Sequence, residues 1–272
     1  MPIIPDDPLD VTRAKVLKMN GVLYPGGDGN YSSTGRFVFN LIKEMNDNGT
    51  YVPIWGTCAG MHELSSYVAD EGWAVHDVYD MDSASLTLDF AYDNPEDIKI
   101  FQGLGPKAKL FETYNVTYNS HHWSLNPNKF DPVTGDKGLT KWFKPTSLSY
   151  MPAPDSRPFV ASYETTGENA KYPFYGTQYH PEKAARIFSE EQAVNHSWLS
   201  IELNNHFAEF FVYDCRKNNN SYGNYSQVQK AIIQNHKLLV TNQWYDSVYL
   251  FQHANLLTAG FALVGILTSF VF

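Results

Sequence analysis

Val52-Pro53-Ile54-Trp55-Gly56-Thr57-Cys58-Ala59-Gly60 decides the fold. Its apolar start is too short for a helix and breaks at Gly56, which is how a buried strand reads. Leu64 and Val68 then recur at helical spacing. Cys58 therefore falls where a strand turns sharply into a helix. Upstream, residues 21–24 form another short apolar run that ends in Pro25-Gly26-Gly27, a strand breaking into a glycine turn. Ser33 or Thr34 is placed to cap a helix with Phe37, Leu41, Ile42 and Met45 on one face, stopped near Gly49. Strand, helix, strand, turn and helix in this order predict parallel pairing in a doubly wound α/β sheet. Further strands are expected at residues 85–90, 110–118, 159–165 and 174–179. A long helix is expected over 198–216, with Ile201, Phe207, Phe210 and Phe211 facing inward. Residues 126–157 are rich in Pro, Asn, Asp and Lys and read as surface loop, as does the Asn-rich stretch 218–224. No internal repeat is visible.

Bulk properties narrow the function. A chain of 272 residues suits one large α/β domain, and 43% hydrophobic against 18% charged residues supports a packed core. A net charge of −9 repels polyanions, which argues against nucleic acid as a partner. Two cysteines, Cys58 and Cys215, make no disulfide framework, and neither has a close partner for zinc. Glycosylation sequons begin at Asn30, Asn48, Asn115, Asn195, Asn219 and Asn224 and favour a secretory-pathway protein, although the first residues have no signal-peptide character. After Asp246 no charged side chain follows, and residues 256–272 form an apolar run. That tail is expected to act in membrane attachment, at the short edge for a span; the competing reading is a buried terminal segment.

Three motifs carry chemistry. A Cys at a strand-to-helix elbow stands clear of the sheet, and the helix N-terminus faces its sulfur with partial positive charge. The Ala59 N–H can face a developing oxyanion. The competing reading is a buried structural Cys. Second, Gly176-Thr-Gln-Tyr-His180-Pro-Glu182-Lys183 delivers His180 at a strand end, with Pro181 breaking the strand and Glu182 able to reach back to the imidazole. Third, Gly26 and Gly27 let backbone N–H groups approach a substrate oxygen. His121 and His122 are adjacent, but no carboxylate or Cys stands at ligand spacing, so no metal site is expected.

Tyr24-Pro-Gly-Gly27, Val52-Pro-Ile-Trp-Gly-Thr-Cys58, Asn119-Ser-His-His-Trp-Ser-Leu125, Tyr172-Pro-Phe-Tyr-Gly-Thr-Gln-Tyr-His-Pro-Glu-Lys183 and Ala208-Glu-Phe-Phe211 together resemble the γ-glutamyl hydrolases of the class I glutamine-amidotransferase-like superfamily. The resemblance covers roughly residues 3–250; the domain is set at 1–250 and the tail at 256–272. It implies a flavodoxin-like three-layer sandwich with a mainly parallel sheet. It further implies Cys58 as nucleophile, His180 as base and acid, and Glu182 as supporting carboxylate. Gly26, Gly27 and Ala59 would lie at the oxyanion, and His121 would be a cleft histidine that handles substrate. The substrate implied is a poly-γ-glutamyl folate, with no cofactor or metal, a lysosomal, vacuolar or extracellular location, and a homodimer left open. Relatives of this type carry a signal peptide and one strand–helix unit before the segment matching residues 2–5, so both are expected upstream of Met1. Position 62 departs from the pattern. Amidotransferases usually have Gln there and γ-glutamyl hydrolases an acidic residue in this stretch, whereas this chain has His62 followed by Glu63. Two other functions stay open on the residues: a glutaminase domain serving a synthase, and an inactive surface-binding homologue.

Overall fold

The computed structural model describes residues 1–5, 7–27, 31–190, 192–240 and 247–251. In chain order the elements are α1 (Leu9–Val16), β1 (Val22–Tyr24), α2 (Ser32–Asp47), β2 (Ile54–Thr57), α3 (Ala59–Val68), β3 (Asp77–Leu86), β4 (Asp89–Phe90), α4 (Leu110–Thr113), β5 (Thr117–Ser124), α5 (Lys137–Trp142), β6 (Phe143–Tyr150), β7 (Pro158–Thr165), β8 (Phe174–Thr177), α6 (Trp198–Cys215), α7 (Tyr225–Ala231), β9 (Lys237–Val240) and β10 (Ser247–Leu250). The main sheet runs β1-β2-β8-β7-β6-β4, and β3–β5 and β9–β10 form two small two-stranded sheets.

Alternation along the strands explains the layering. Ile54, Val160 and Phe174 point into one core with Val38, Leu41 and Ile42 of α2 and Met61 and Leu64 of α3. Their neighbours Trp55, Ala161 and Tyr175 point into a second core with Leu203, Phe207 and Phe211 of α6. Period-2 side chains thus feed helices on both faces of the sheet. Burial of each large side chain such as Phe174 contributes about 1.5–3 kcal/mol. The pairings β1–β2 and β2–β8 are parallel, while β8–β7, β7–β6 and β6–β4 are antiparallel. The sheet is therefore mixed among the described residues, and the expected predominance of parallel pairing holds only from β1 to β8.

Several local expectations need correction. Residues 126–157 are not one loop, because they contain α5 and the sheet strand β6. Strand β6 hides its character by burying hydroxyls: Thr146 and Ser147 each lie against Ser162 of β7, at 2.7 and 2.6 Å. The segment 110–118 opens as α4 and becomes strand only at Thr117. Ser33 and Thr34 lie inside α2; the capping position is Tyr31, with no side-chain cap bond. Thr34 instead donates its hydroxyl to the Pro5 carbonyl at 2.6 Å. The stop at Gly49 is as expected, with φ +86°. Within α6 the buried apolar positions are Leu203, Phe207 and Phe211, with Ile201 and Phe210 half-buried. The apolar run 256–272 lies outside the described residues. Among the described residues no helix is long and apolar enough to cross a membrane.

Candidate active site

Cys58 occupies a backbone conformation that L-residues avoid, φ 48° and ψ −110°. Such a state costs about 1–3 kcal/mol and persists only where its surroundings enforce it. Here they do. The Cys58 N–H donates to the Thr177 carbonyl at 2.7 Å, and the Cys58 carbonyl accepts from the His62 N–H at 3.0 Å as α3 begins. Gly60 lets the helix settle onto β1, since a Cβ there would lie 2.0 Å from the Tyr24 carbonyl oxygen. The Cys58 sulfur is buried 3.7 Å from the Ser120 carbonyl oxygen. Ala59 is the first residue of α3, so its N–H has no carbonyl one turn back to bond.

His180 arrives just past β8. Its N–H donates to the Tyr118 carbonyl of β5 at 2.8 Å, and its Nδ1 lies 2.8 Å from Glu182 Oε1. Cys58 stands near enough to the imidazole to favour its charged form. Gly26 closes the other side: a Cβ there would lie 2.5 Å from His180 Cε1 and 3.3 Å from Cys58 Cβ. Gly27 follows at φ +135°. The structure thus brings Gly26, Cys58, Ala59, His180 and Glu182 together from β1, β2, α3 and β8.

Electrostatics follow from this packing. Burial disfavours a charged His180, but the Glu182 carboxylate and the Cys58 sulfur outweigh it and raise its pKa to about 9. Burial would raise Glu182, but the imidazolium and then Lys183 hold it below the ordinary carboxylate value. At neutral pH His180 is therefore an imidazolium facing both a carboxylate and a sulfur.

His121 is buried beside these groups. Its Nδ1 lies 3.2 Å from the Tyr79 carbonyl oxygen, its ring meets Phe159 edge-on, and Nε2 has no hydrogen-bond partner among the described residues. Burial first, then His62 and His180, push its pKa down to about 3, so it is neutral. His122 is exposed and pairs with Asp80. Among the described residues no three His, Cys, Asp or Glu side chains gather to hold a metal ion.

Two groups of side chains escaped the sequence reading. Lys183 is buried, donates to Gln192 Oε1 at 2.9 Å and sits 4.8 Å from the centre of the Tyr118 ring. Burial lowers its pKa against the opposing pull of Glu182 and Cys58. Adjacency to His180-Pro-Glu182 was the only signal for it. His62, Gln178 and Ser124 form a buried hydrogen-bonded set behind the nucleophile; only the unusual identity of position 62 hinted at it.

Of the sequons, Asn48, Asn115, Asn219 and Asn224 are exposed. Asn195 is half-buried, with its amide donating to the Asn115 carbonyl and its oxygen accepting from the Ser197 N–H. Asn30 lies outside the described residues.

Curated relatives agree with this arrangement in name. The chain is 31% identical over 222 residues to "Gamma-glutamyl hydrolase" of Rattus norvegicus, covering 79% of this chain and 66% of that protein. It is 30% identical over 221 residues to "Gamma-glutamyl hydrolase" of Homo sapiens, covering 79% and 65%. With "Gamma-glutamyl hydrolase B" of Dictyostelium discoideum it shares 28% over 244 residues, covering 86% and 67%. The chain thus spans 65–66% of the length of the two mammalian relatives. No protein-family model matches it.

Proposed function

This chain belongs to the γ-glutamyl hydrolase family, and from that premise we propose that it hydrolyses γ-glutamyl amide bonds through a thioester on Cys58. The observation that carries the reading is the strained Cys58 at the start of α3, packed around Gly26 with a His180 that Glu182 holds in place. The Cys58 thiolate attacks the γ-carbonyl carbon, and the N–H of Ala59, with the backbone of Gly26 and Gly27, receives the oxyanion. His180 gives its proton to the leaving amine as the C–N bond breaks. It then takes a proton from water, which attacks the thioester and releases a γ-carboxylate and the thiolate. Glu182 keeps the imidazole oriented and stabilises its charged form throughout.

The substrate class that fits the resemblance is a poly-γ-glutamyl folate, with His121 as a neutral hydrogen-bonding group in the cleft. The layering of helices on both faces supports a flavodoxin-like sandwich whose site lies beyond the carboxyl ends of β1, β2 and β8. Exposed sequons support passage through the secretory pathway toward lysosome, vacuole or medium, and the run 256–272 is proposed as a membrane-related segment. The test is release of glutamate or glutamyl peptides from a folylpoly-γ-glutamate by the purified protein, with the acyl-enzyme trapped on Cys58. Absence of turnover, with the thiol intact, would refute the reading.

A further inference from the structure

His62 stands one helical turn beyond Cys58, and its N–H makes the first bond of α3 to the Cys58 carbonyl. Its side chain is buried and places Nε2 2.8 Å from Gln178 Oε1. Gln178 lies two residues before His180, and its N–H donates to the Ala161 carbonyl of β7 at 2.8 Å. The same Oε1 accepts a second bond, from Ser124 Oγ at 3.0 Å. Ser124 ends β5, the strand whose Ser120 carbonyl meets the Cys58 sulfur and whose Tyr118 carbonyl receives the His180 N–H. One side-chain oxygen therefore ties together the helix bearing the nucleophile, the segment bearing the base, and the strand lying against both.

We propose that His62 is a positioning residue, whose Nε2–H bond to Gln178 fixes the distance and angle between the Cys58 sulfur and the His180 imidazole. The inference rests on the reading of Cys58 and His180 as nucleophile and base. Two features favour it over a merely satisfied core histidine. With both donors converging on Oε1, the carbonyl orientation of Gln178 is set. In addition, burial outweighs the opposing bond to Gln178 and lowers the His62 pKa to about 4, so His62 is neutral and adds no second cation beside His180. The ring is braced from behind by His76 and Trp73, with ring centres at 4.9 and 5.9 Å. A side chain held on every side transmits its position to what it bonds.

The test compares His62→Leu, which keeps bulk and loses the donor, with His62→Gln, whose amide nitrogen sits where Nε2 does. Two readouts are needed: kcat and KM on a γ-glutamyl peptide, and the pH dependence of iodoacetamide alkylation at Cys58. For His62→Leu, kcat should fall on the order of thirtyfold from a sub-ångström misplacement, with KM changed by less than about threefold. The acid limb of alkylation should move to higher pH as the Cys58–His180 pairing loosens. His62→Gln should recover kcat to within about fivefold and restore the alkylation limb. Leu as active as wild type, Gln as poor as Leu, or a kcat loss with no change in alkylation would each overturn the proposal. Should the Leu variant not fold, Ser124→Ala removes the other bond to the same oxygen. A smaller shift in the same direction supports the role, and no shift overturns it. Wild-type protein inactive on γ-glutamyl substrates but showing these alkylation shifts would fail the proposed function while leaving the positioning role standing.

Discussion

Replacing Gly26 by Ala tests the closeness of the site directly. The added methyl would stand 2.5 Å from His180 Cε1, 3.2 Å from His180 Nδ1 and 3.3 Å from Cys58 Cβ. Ordinary contact begins at 3.4 Å, so the ring has to retreat by about 0.9 Å (3.4 − 2.5) to relieve the worst overlap. It cannot retreat freely, because Nδ1 is bonded to Glu182 and the backbone N–H to Tyr118. Overpacking of this kind costs about 1–3 kcal/mol of stability. A displacement near 1 Å between nucleophile and base costs about a hundredfold in rate, or about 2.7 kcal/mol of barrier. The assay is steady-state hydrolysis of a γ-glutamyl peptide alongside thermal unfolding. The expected variant is folded, melts a few degrees lower by this reckoning, and is about a hundredfold down in kcat. A Gly26→Ala enzyme within about threefold of wild type would refute the view that Gly26 is there to admit the imidazole.

Cys58→Ala should fold normally and lose at least about 10⁴-fold of turnover, and surviving activity would end the nucleophile assignment. In the wild type, iodoacetamide should modify Cys58 well ahead of Cys215, whose pKa burial and then Asp214 push up to about 12; mass mapping reads the order. His180→Asn should cost more than Glu182→Gln, because the imidazole moves protons while the carboxylate orients it; the reverse ranking in kcat would exchange their roles. Stability should peak between two limbs. His180 is raised to about 9 in the fold, so its contribution is complete below about 6.5 and is lost as pH climbs through 9. His62, His76 and His121 are lowered to about 4, 3 and 3, so their advantage exists above about 6.5 and is lost as pH falls toward 3. Denaturant midpoints across pH check both limbs, and an alkaline limb unchanged in His180→Gln would count against the first. Deleting 256–272 from the protein should leave a soluble, active domain, whereas loss of folding would place that run in the core.

The parts legible in the sequence were those in which apolar pattern and backbone geometry coincide. Strand β2 is buried at every position and ends at the sharp turn of Cys58, so both the fold class and the candidate Cys58 could be read from nine residues. His180 was equally exposed to view, since Pro181 ends a β run beside it. Strand β6 was not legible because three of its four buried side chains are hydroxyls, two of them satisfied by Ser162 of a neighbouring strand, a pairing absent from any local window. Strand β3 was missed for a related reason. It buries only Tyr79 and Met81 among exposed aspartates and pairs with β5 from the other end of a long excursion. In the site itself, nothing in the spacing of His62, Ser124 and Gln178 foretells that they meet. Nor does the charge of Lys183 suggest burial, which long cationic side chains seldom tolerate.

The parallel ladders from β1 to β8 also bear on how the molecule is made. β2 must wait for β8, which lies far along the chain, and Cys58 meets His180 only when that loop has closed. Contacts of such long sequence separation form late and slowly. A nascent chain released or stalled before residue 180 would carry the thiol without its proposed base. Catalytic competence in this protein is therefore a report on completed synthesis and folding, and a pulse of translation followed by time-resolved activity should lag behind the appearance of helical signal.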